Sequence, residues 1–345
     1  MRLSPIVAGG TLALAAAVAF GASTPLVQRF GHGVGPFTTA ALLYGGSGLA
    51  SALPARTGDA PLRRADAGRL LVVTLLGAVA APVTFAWGLQ HTSGVTAALL
   101  LNLEAVFTVL LARLLWHEAL GARVGLAVAA IVAGGALLVL DGRQGAIEPG
   151  WGALAVAAAT LGWAGDAVIG RPLADRAPTH VVLAKGALGA TLSLAMARGT
   201  SEPWPSWGAA AALTACGAIG YGLSLRFYLG AQRAVGAART GTVFAVAPFL
   251  GAALAWAMGE HAGGLTTLGA GALCALGVAL NLTESHEHGH AHEPLQHEHA
   301  HRHDDGHHGH THDVYPEGEH SHEHAHEAME HAHPHGADLH HGHRH

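Results

Sequence analysis

Ten stretches of this chain are each long and apolar enough to cross a lipid bilayer, and no other property narrows its possible folds so severely. A hydrocarbon core about 30 Å thick asks for about 20 apolar residues per helix. The stretches fall at roughly 4 to 22, 34 to 53, 69 to 89, 94 to 115, 121 to 140, 150 to 170, 179 to 197, 207 to 229, 236 to 258 and 263 to 281. Lipid offers the backbone no hydrogen-bond partner, so apolar stretches of this length are read as helices. Short connections rich in Pro, Gly and Asp separate them, which makes neighbours antiparallel. The fold class expected is an all-α membrane protein.

After Asn281 the chain changes solvent. Through Thr283 it carries 16 Lys and Arg against 10 Asp and Glu, whereas from Glu284 to His345 the count is 2 against 13. Only 12% of the whole sequence is charged, against about a quarter in an ordinary soluble domain. The two cysteines, Cys216 and Cys274, lie inside apolar stretches and cannot build a disulfide framework or a Cys-based zinc site.

Arginine sets the orientation. Arg2, Arg56, Arg63, Arg64, Arg69, Arg123, Arg171, Arg176 and Arg233 gather at one end of the spans, and only Arg29, Arg143 and Arg198 at the other. The excess belongs on the cytoplasmic side, so a multi-pass protein of the cell inner (plasma) membrane with both termini cytoplasmic is expected. The first stretch has a second reading, as a signal peptide cleaved near Gly21-Ala22-Ser23.

An offset of 142 residues pairs Phe85 with Phe227, Gly88 with Gly230, Gln90 with Gln232, Gly94 with Gly236, Ala105 with Ala247, Phe107 with Phe249, Glu118 with Glu260 and Gly135 with Gly277. Matches of Gln, Glu and Phe at one offset indicate duplication. The units are residues 1–142, a first five-helix repeat, 143–283, a second, and 284–345, a His-rich tail. Five is odd, so the second copy enters the membrane from the opposite side. Such inverted repeats are a feature of secondary transporters that rock around a midplane site.

The run His91-Thr-Ser-Gly-Val-Thr-Ala-Ala-Leu-Leu, then Leu103-Glu104-Ala105-Val106-Phe107 and Trp116-His117-Glu118, resembles the fourth helix of the EamA repeat of the drug/metabolite transporter superfamily. The resemblance spans about residues 8 to 282 and takes in Pro248 and Gly259-Glu260 of the second half. It departs from the pattern at Ala105, where a proline is usual, at His117, where glycine is usual, and at Pro248, one residue nearer Glu260 than usual. The resemblance implies a ten-helix carrier of small organic solutes, often an exporter, with a cavity between the halves.

Ionisable groups inside a span cost about 2.5 to 3.5 kcal/mol on insertion scales, so those retained face a cavity or a partner. Glu104, near the middle of the fourth span with Asn102 close by, reads as a cation or proton site or as a structural carboxylate bonded to a neighbouring helix. Asp166, Lys185 and Arg226 all fall in the inner half, where they could form one cluster acting as a gate or holding an anionic or zwitterionic solute. The alternative for Lys185 and Arg226 is snorkelling to the headgroups. None of the four has a charged repeat mate, these being Val246, Thr24, Leu43 and Thr84. Glu104, Asn102, Asp166, Lys185 and Arg226 are the candidate substrate or proton pathway. Gln90, Gln232, Glu118 and Glu260 read as helix-end hydrogen-bonding groups, and Trp87, Trp163 and Tyr221 as interfacial aromatics in preference to cavity-lining ones.

The tail holds 23 of the 28 histidines, mostly as His-X-His, interleaved with carboxylates. It has no apolar period, so disorder is expected without a ligand. Neutral imidazole suits zinc, nickel, cobalt or copper. Candidate ligands of a divalent ion (Zn, Ni or Co) are His286, His288, His290, His292, His297, His299, His301, His303, His320, His322, His324 and His326. An affinity tag would be one uninterrupted run of histidines, and none occurs. The core histidines, His32, His91, His117, His180 and His261, sit at span ends or in loops, leaving Glu104 as the one central ligand.

The expected function is secondary active transport, as an exporter, of a small solute or metabolite, with a cytoplasmic metal-binding tail. The alternative is a nickel, cobalt or zinc carrier that uses the tail as buffer or sensor. No nucleophile with a base and no paired catalytic carboxylates share a depth, so no enzyme activity is expected. Nothing resembles an ATP phosphate loop. The partners expected are the bilayer, a small-molecule substrate and divalent metal at the tail, with no nucleic acid, no required cofactor, and a monomeric or homodimeric state.

Overall fold

A computed structural model describes residues 5–52, 60–116, 121–141, 150–260, 264–282 and, in the tail, 286–292, 295–301, 320–326 and 329–335. Nine helices among these residues are long and apolar enough to cross a membrane: Val7–Gly31, Arg64–Leu89, Gly94–Leu115, Ala122–Leu140, Trp151–Leu173, Pro178–Gly199, Trp207–Gln232, Arg239–Ala257 and Gly264–Leu282. Between the first and second of these lies a shorter helix, Pro36–Ser51, of 16 residues. We number the ten as spans 1 to 10 in chain order. The chain is a multi-pass membrane protein.

Span 1 runs well past the expected end at 22. Ser23 and Thr24 close the apolar stretch in the sequence, yet both are buried in the bundle, where polar side chains meet protein and not lipid. Pro36 and Pro178, 142 residues apart, each open a helix, where the missing N–H costs nothing. Ser93 and Ser206 accept the N–H groups of Thr96 and Ala209 at 3.1 and 3.2 Å, capping spans 4 and 8.

Packing follows a two-fold plan. Span 1 lies against spans 8 and 9, and its mate, span 6, lies against spans 3 and 4. Span 2 packs on span 7 and span 5 on span 10, each pair joining a helix to its own repeat mate. A two-fold axis between these pairs describes the arrangement. Small residues permit it: a Cβ on Gly186 of span 7 would lie 2.8 Å from the Cα of Gly48 in span 2, so any side chain there would part the helices.

Two irregularities recur in both halves. Spans 4 and 9 are each broken near the middle, Gly94–Leu100 from Leu103–Trp116 and Ala237–Phe244 from Ala247–Ala257. Spans 3 and 8 each contain a π-helical turn, Leu75–Ala80 and Gly217–Leu223, whose first residues differ by the same 142.

The described part of the tail is extended. His286–His292 pairs antiparallel with Met329–His335, and Leu295–His301 with His320–His326. The sequence led to an expectation of disorder there. Isolated two-stranded pairs have little to hold them in water, and this tail brings no apolar period to build a core.

Candidate functional site

The break in span 4 places the first pieces of the site. Leu101 and Asn102 interrupt the helix, and the Asn102 side-chain amide turns back to donate at 2.8 Å to the Leu99 carbonyl, which also accepts the Asn102 backbone N–H at 3.2 Å. Asn102 is buried at the break. Glu104 follows in the first turn of the second half-helix, Leu103–Trp116. The positive end of a helix dipole favours a carboxylate there by about 0.3 to 1 kcal/mol. Among the described residues Glu104 forms no ion pair. Among the described residues, Asp166 and the phenols of Tyr44, Tyr221 and Tyr228 lie near enough to feel its charge.

An aromatic row runs beside it. Tyr44 of span 2 meets Tyr221 of span 8 at 5.9 Å between ring centroids, Tyr221 meets Phe20 of span 1 at 5.9 Å, Phe20 meets Phe244 of span 9 at 5.6 Å, and Phe244 meets Tyr228 at 5.0 Å. These rings come from both repeats and include a residue next to the break in span 9.

Asp166 and Lys185 form the ion pair of the inner half, the Lys185 ammonium donating to the two carboxylate oxygens at 2.7 and 2.5 Å. Arg226 does not join them. Its Nη1 donates to the Ala50 carbonyl at 3.4 Å, at the C-terminal end of span 2, where the helix dipole favours a cation. A second ion pair, Arg176 to Asp66 at 2.8 Å, ties the approach to span 7 to the start of span 3, beside the Ala177 N–H to Ala60 carbonyl bond of 2.7 Å. Both ion pairs lie toward the arginine-rich end.

At the opposite end the ties are hydrogen bonds to backbone. Glu202 accepts the N–H of Phe37 at 3.1 Å and of Thr38 at 2.8 Å, capping span 2 from the other repeat. Glu260 accepts the Gly94 N–H at 2.5 Å, capping span 4 in the same way. Gln90 donates to the Val34 carbonyl at 2.8 Å, and Gln28 to those of Leu89 and Thr92 at 3.2 and 2.8 Å. Gln90 and Glu260 thus fill the helix-end places anticipated for them. Glu118, His117, His261 and, of the candidate metal ligands, His303 lie outside the described residues.

Two of the three aromatic residues are not interfacial. Trp163 is buried, with its indole N–H on the Gly77 carbonyl at 3.0 Å, and Tyr221 sits in the aromatic row. Trp87 is the partly exposed one and stacks on His91 at 4.0 Å near the end of span 3. Sequence reading missed Tyr44, Gln28 and Glu202. Tyr44 carried a usable signal, since a phenol at the centre of a span must find an acceptor. Among the described residues no three His, Cys, Asp or Glu side chains converge as a metal site.

A half-buried carboxylate at a broken helix and rings from both repeats thus sit within a two-fold plan. The EamA-like transporter family matches this chain twice, over residues 7–140 and 150–283. The chain belongs to that family. An uncharacterized transporter of Methanothermobacter thermautotrophicus is 33% identical over 124 residues, 34% of this chain. The match spans about a third, 35%, of that relative's own length. A protein of known crystal structure superposes with a TM-score of 0.54 at 24% identity, over 79% of this chain and 95% of the other, which is a likeness of fold.

Proposed function

We propose that this EamA-like protein is a secondary active exporter of a small organic solute, seated in the plasma membrane with both termini cytoplasmic, and that Glu104 is its proton- or cation-coupling carboxylate. The observation that carries the reading is a difference between two acids in one neighbourhood. Lys185 neutralises Asp166, whereas Glu104 stands at the break of span 4 with no ion pair among the described residues. A carboxylate held near the midplane without a fixed counter-ion can take up and release a proton or cation as access alternates. Direction rests on the family resemblance, and the positive-inside arginines support the orientation.

The test is gradient-driven flux in proteoliposomes across a metabolite panel. Glu104→Gln abolishes flux while the protein remains monodisperse, and near-normal flux in that variant refutes the role. No flux from the native protein across the panel counts against the solute reading.

A second reading rests on the tail. Its His-X-His pairs and acidic spacers suit a buffer or sensor for zinc, nickel or cobalt on the cytoplasmic side, and in this reading such an ion is also the cargo. Deleting Glu284 to His345 and measuring cellular nickel, cobalt and zinc separates the two. Unchanged metal content and tolerance remove the metal role.

A further inference from the structure

The π-helical turns of spans 3 and 8 are not equivalent, and one residue makes the difference. Inside such a turn each carbonyl looks five residues ahead for its N–H partner. In span 8 the Ser224 N–H donates to the Ile219 carbonyl and closes the ladder. The mates of those residues in span 3 are Pro82 and Gly77. Pro82 has no N–H to give. The neighbouring donor, Ala81 N–H, is already bound to the Leu76 carbonyl. The Gly77 carbonyl is thereby left without a helical donor in the middle of the bundle.

Two side chains take that place. The Tyr44 hydroxyl of span 2 donates to the Gly77 carbonyl, and the Trp163 indole of span 6 donates to the same oxygen at 3.0 Å, with its nitrogen 3.3 Å from the Tyr44 oxygen. Gly77 is also pressed against Asp166, one turn beyond Trp163 on span 6, since a Cβ at Gly77 would collide with the Asp166 carboxylate. Phe85 packs edge-on to Trp163 at 5.2 Å. Spans 2 and 3 belong to the first repeat and span 6 to the second. The orphaned carbonyl thus fastens one repeat to the other near mid-membrane.

We propose that Gly77, Tyr44 and Trp163 form a latch that biases the transport cycle toward the conformation seen here, with Tyr44 and Trp163 as positioning residues. In an ideal inverted repeat the two alternating states are exchanged by the two-fold axis and equal in energy. An interaction present in one half and lacking at its mate, where Ser224 closes the ladder instead, removes that equality. The proposal rests on alternating access within the transporter reading. Its test reads conformation without substrate, so it stands apart from the flux test of Glu104.

The experiment is double electron–electron resonance on the full chain in nanodiscs, with Cys216 and Cys274 replaced by alanine. Spin labels go on cysteines introduced in pairs at His32 and Gly199, at one end, and at Gly68 and His180, at the other, all four positions being exposed. Tyr44→Phe and Trp163→Phe remove the donors, the first leaving the ring in place. Pro82→Ser restores the backbone N–H that Ser224 supplies in the other half. All three variants are expected to shift the distance distributions in one direction, changing the ratio of conformers about three- to tenfold, the weight of a hydrogen bond or two. Distributions matching the native protein in folded variants overturn the latch. So does a lowered melting temperature with unmoved distances, the mark of a purely structural bond. A shift by Pro82→Ser opposite to that of the side-chain variants also overturns it.

Discussion

The two repeats share a frame and differ at its joints. Spans 3 and 8 both loosen into a π-turn, yet Ser224 closes one ladder and Pro82 leaves the other open to Tyr44 and Trp163. Spans 4 and 9 both break, yet Glu104 follows one break and its mate is Val246. Span 2 is capped by the Glu202 side chain, whereas its mate, span 7, receives the backbone carbonyl of Ala60, the repeat mate of Glu202. Duplication supplies the shared frame, and divergence at single positions makes the two halves chemically different. A two-fold object cannot tell its two ends apart unless such differences do so.

That comparison can be broken at graded cost. The largest effect is expected at Glu104, where Glu104→Gln gives complete loss of gradient-driven flux in proteoliposomes, while Val246→Asn at the mate position keeps substantial flux. Equal losses at both positions would mean that the site is symmetric after all. Next is the Asp166–Lys185 pair, whose mates Thr24 and Leu43 carry no charge. Lys185→Ala strands a largely buried carboxylate, and the expected destabilisation is about 3 to 5 kcal/mol by thermal melting in detergent. The double variant Asp166→Asn with Lys185→Met recovers most of that loss, because no uncompensated charge remains.

Smaller still is the cap. Glu202→Ala frees the N–H groups of Phe37 and Thr38 and should cost about 0.5 to 2 kcal/mol. Ala60→Gly at the mate keeps its carbonyl and should cost less by the same assay.

How much of this was legible beforehand depended on how local the cause was. Hydropathy placed the spans because lipid judges a helix by its own residues, and it failed at Ser23 and Thr24 because those face protein. The 142-residue offset was legible from Gln, Glu and Phe matches alone. Glu104 was conspicuous as an acid in mid-span, whereas the partner of Asp166 was not. Lys185 and Arg226 looked alike in sequence, and only their distances separated an ion pair from a contact with the Ala50 carbonyl. Trp163 read as interfacial because its partner, the Gly77 carbonyl, is a backbone atom 86 residues away that no side-chain pattern announces.

By itself the sequence determined that the chain lives in a membrane, how many times it crosses, that it is a doubled unit with an odd number of helices, and which acids stand inside it. Apolar length, charge asymmetry and repetition are properties of the chain read along its own axis. The tertiary structure alone decided which charges neutralise each other, which phenols gather near Glu104, and that Pro82 opens a carbonyl for Tyr44 and Trp163. Those outcomes depend on hydrogen-bond reach of about 3 Å between helices far apart in sequence, a distance that only the packing of the two repeats sets.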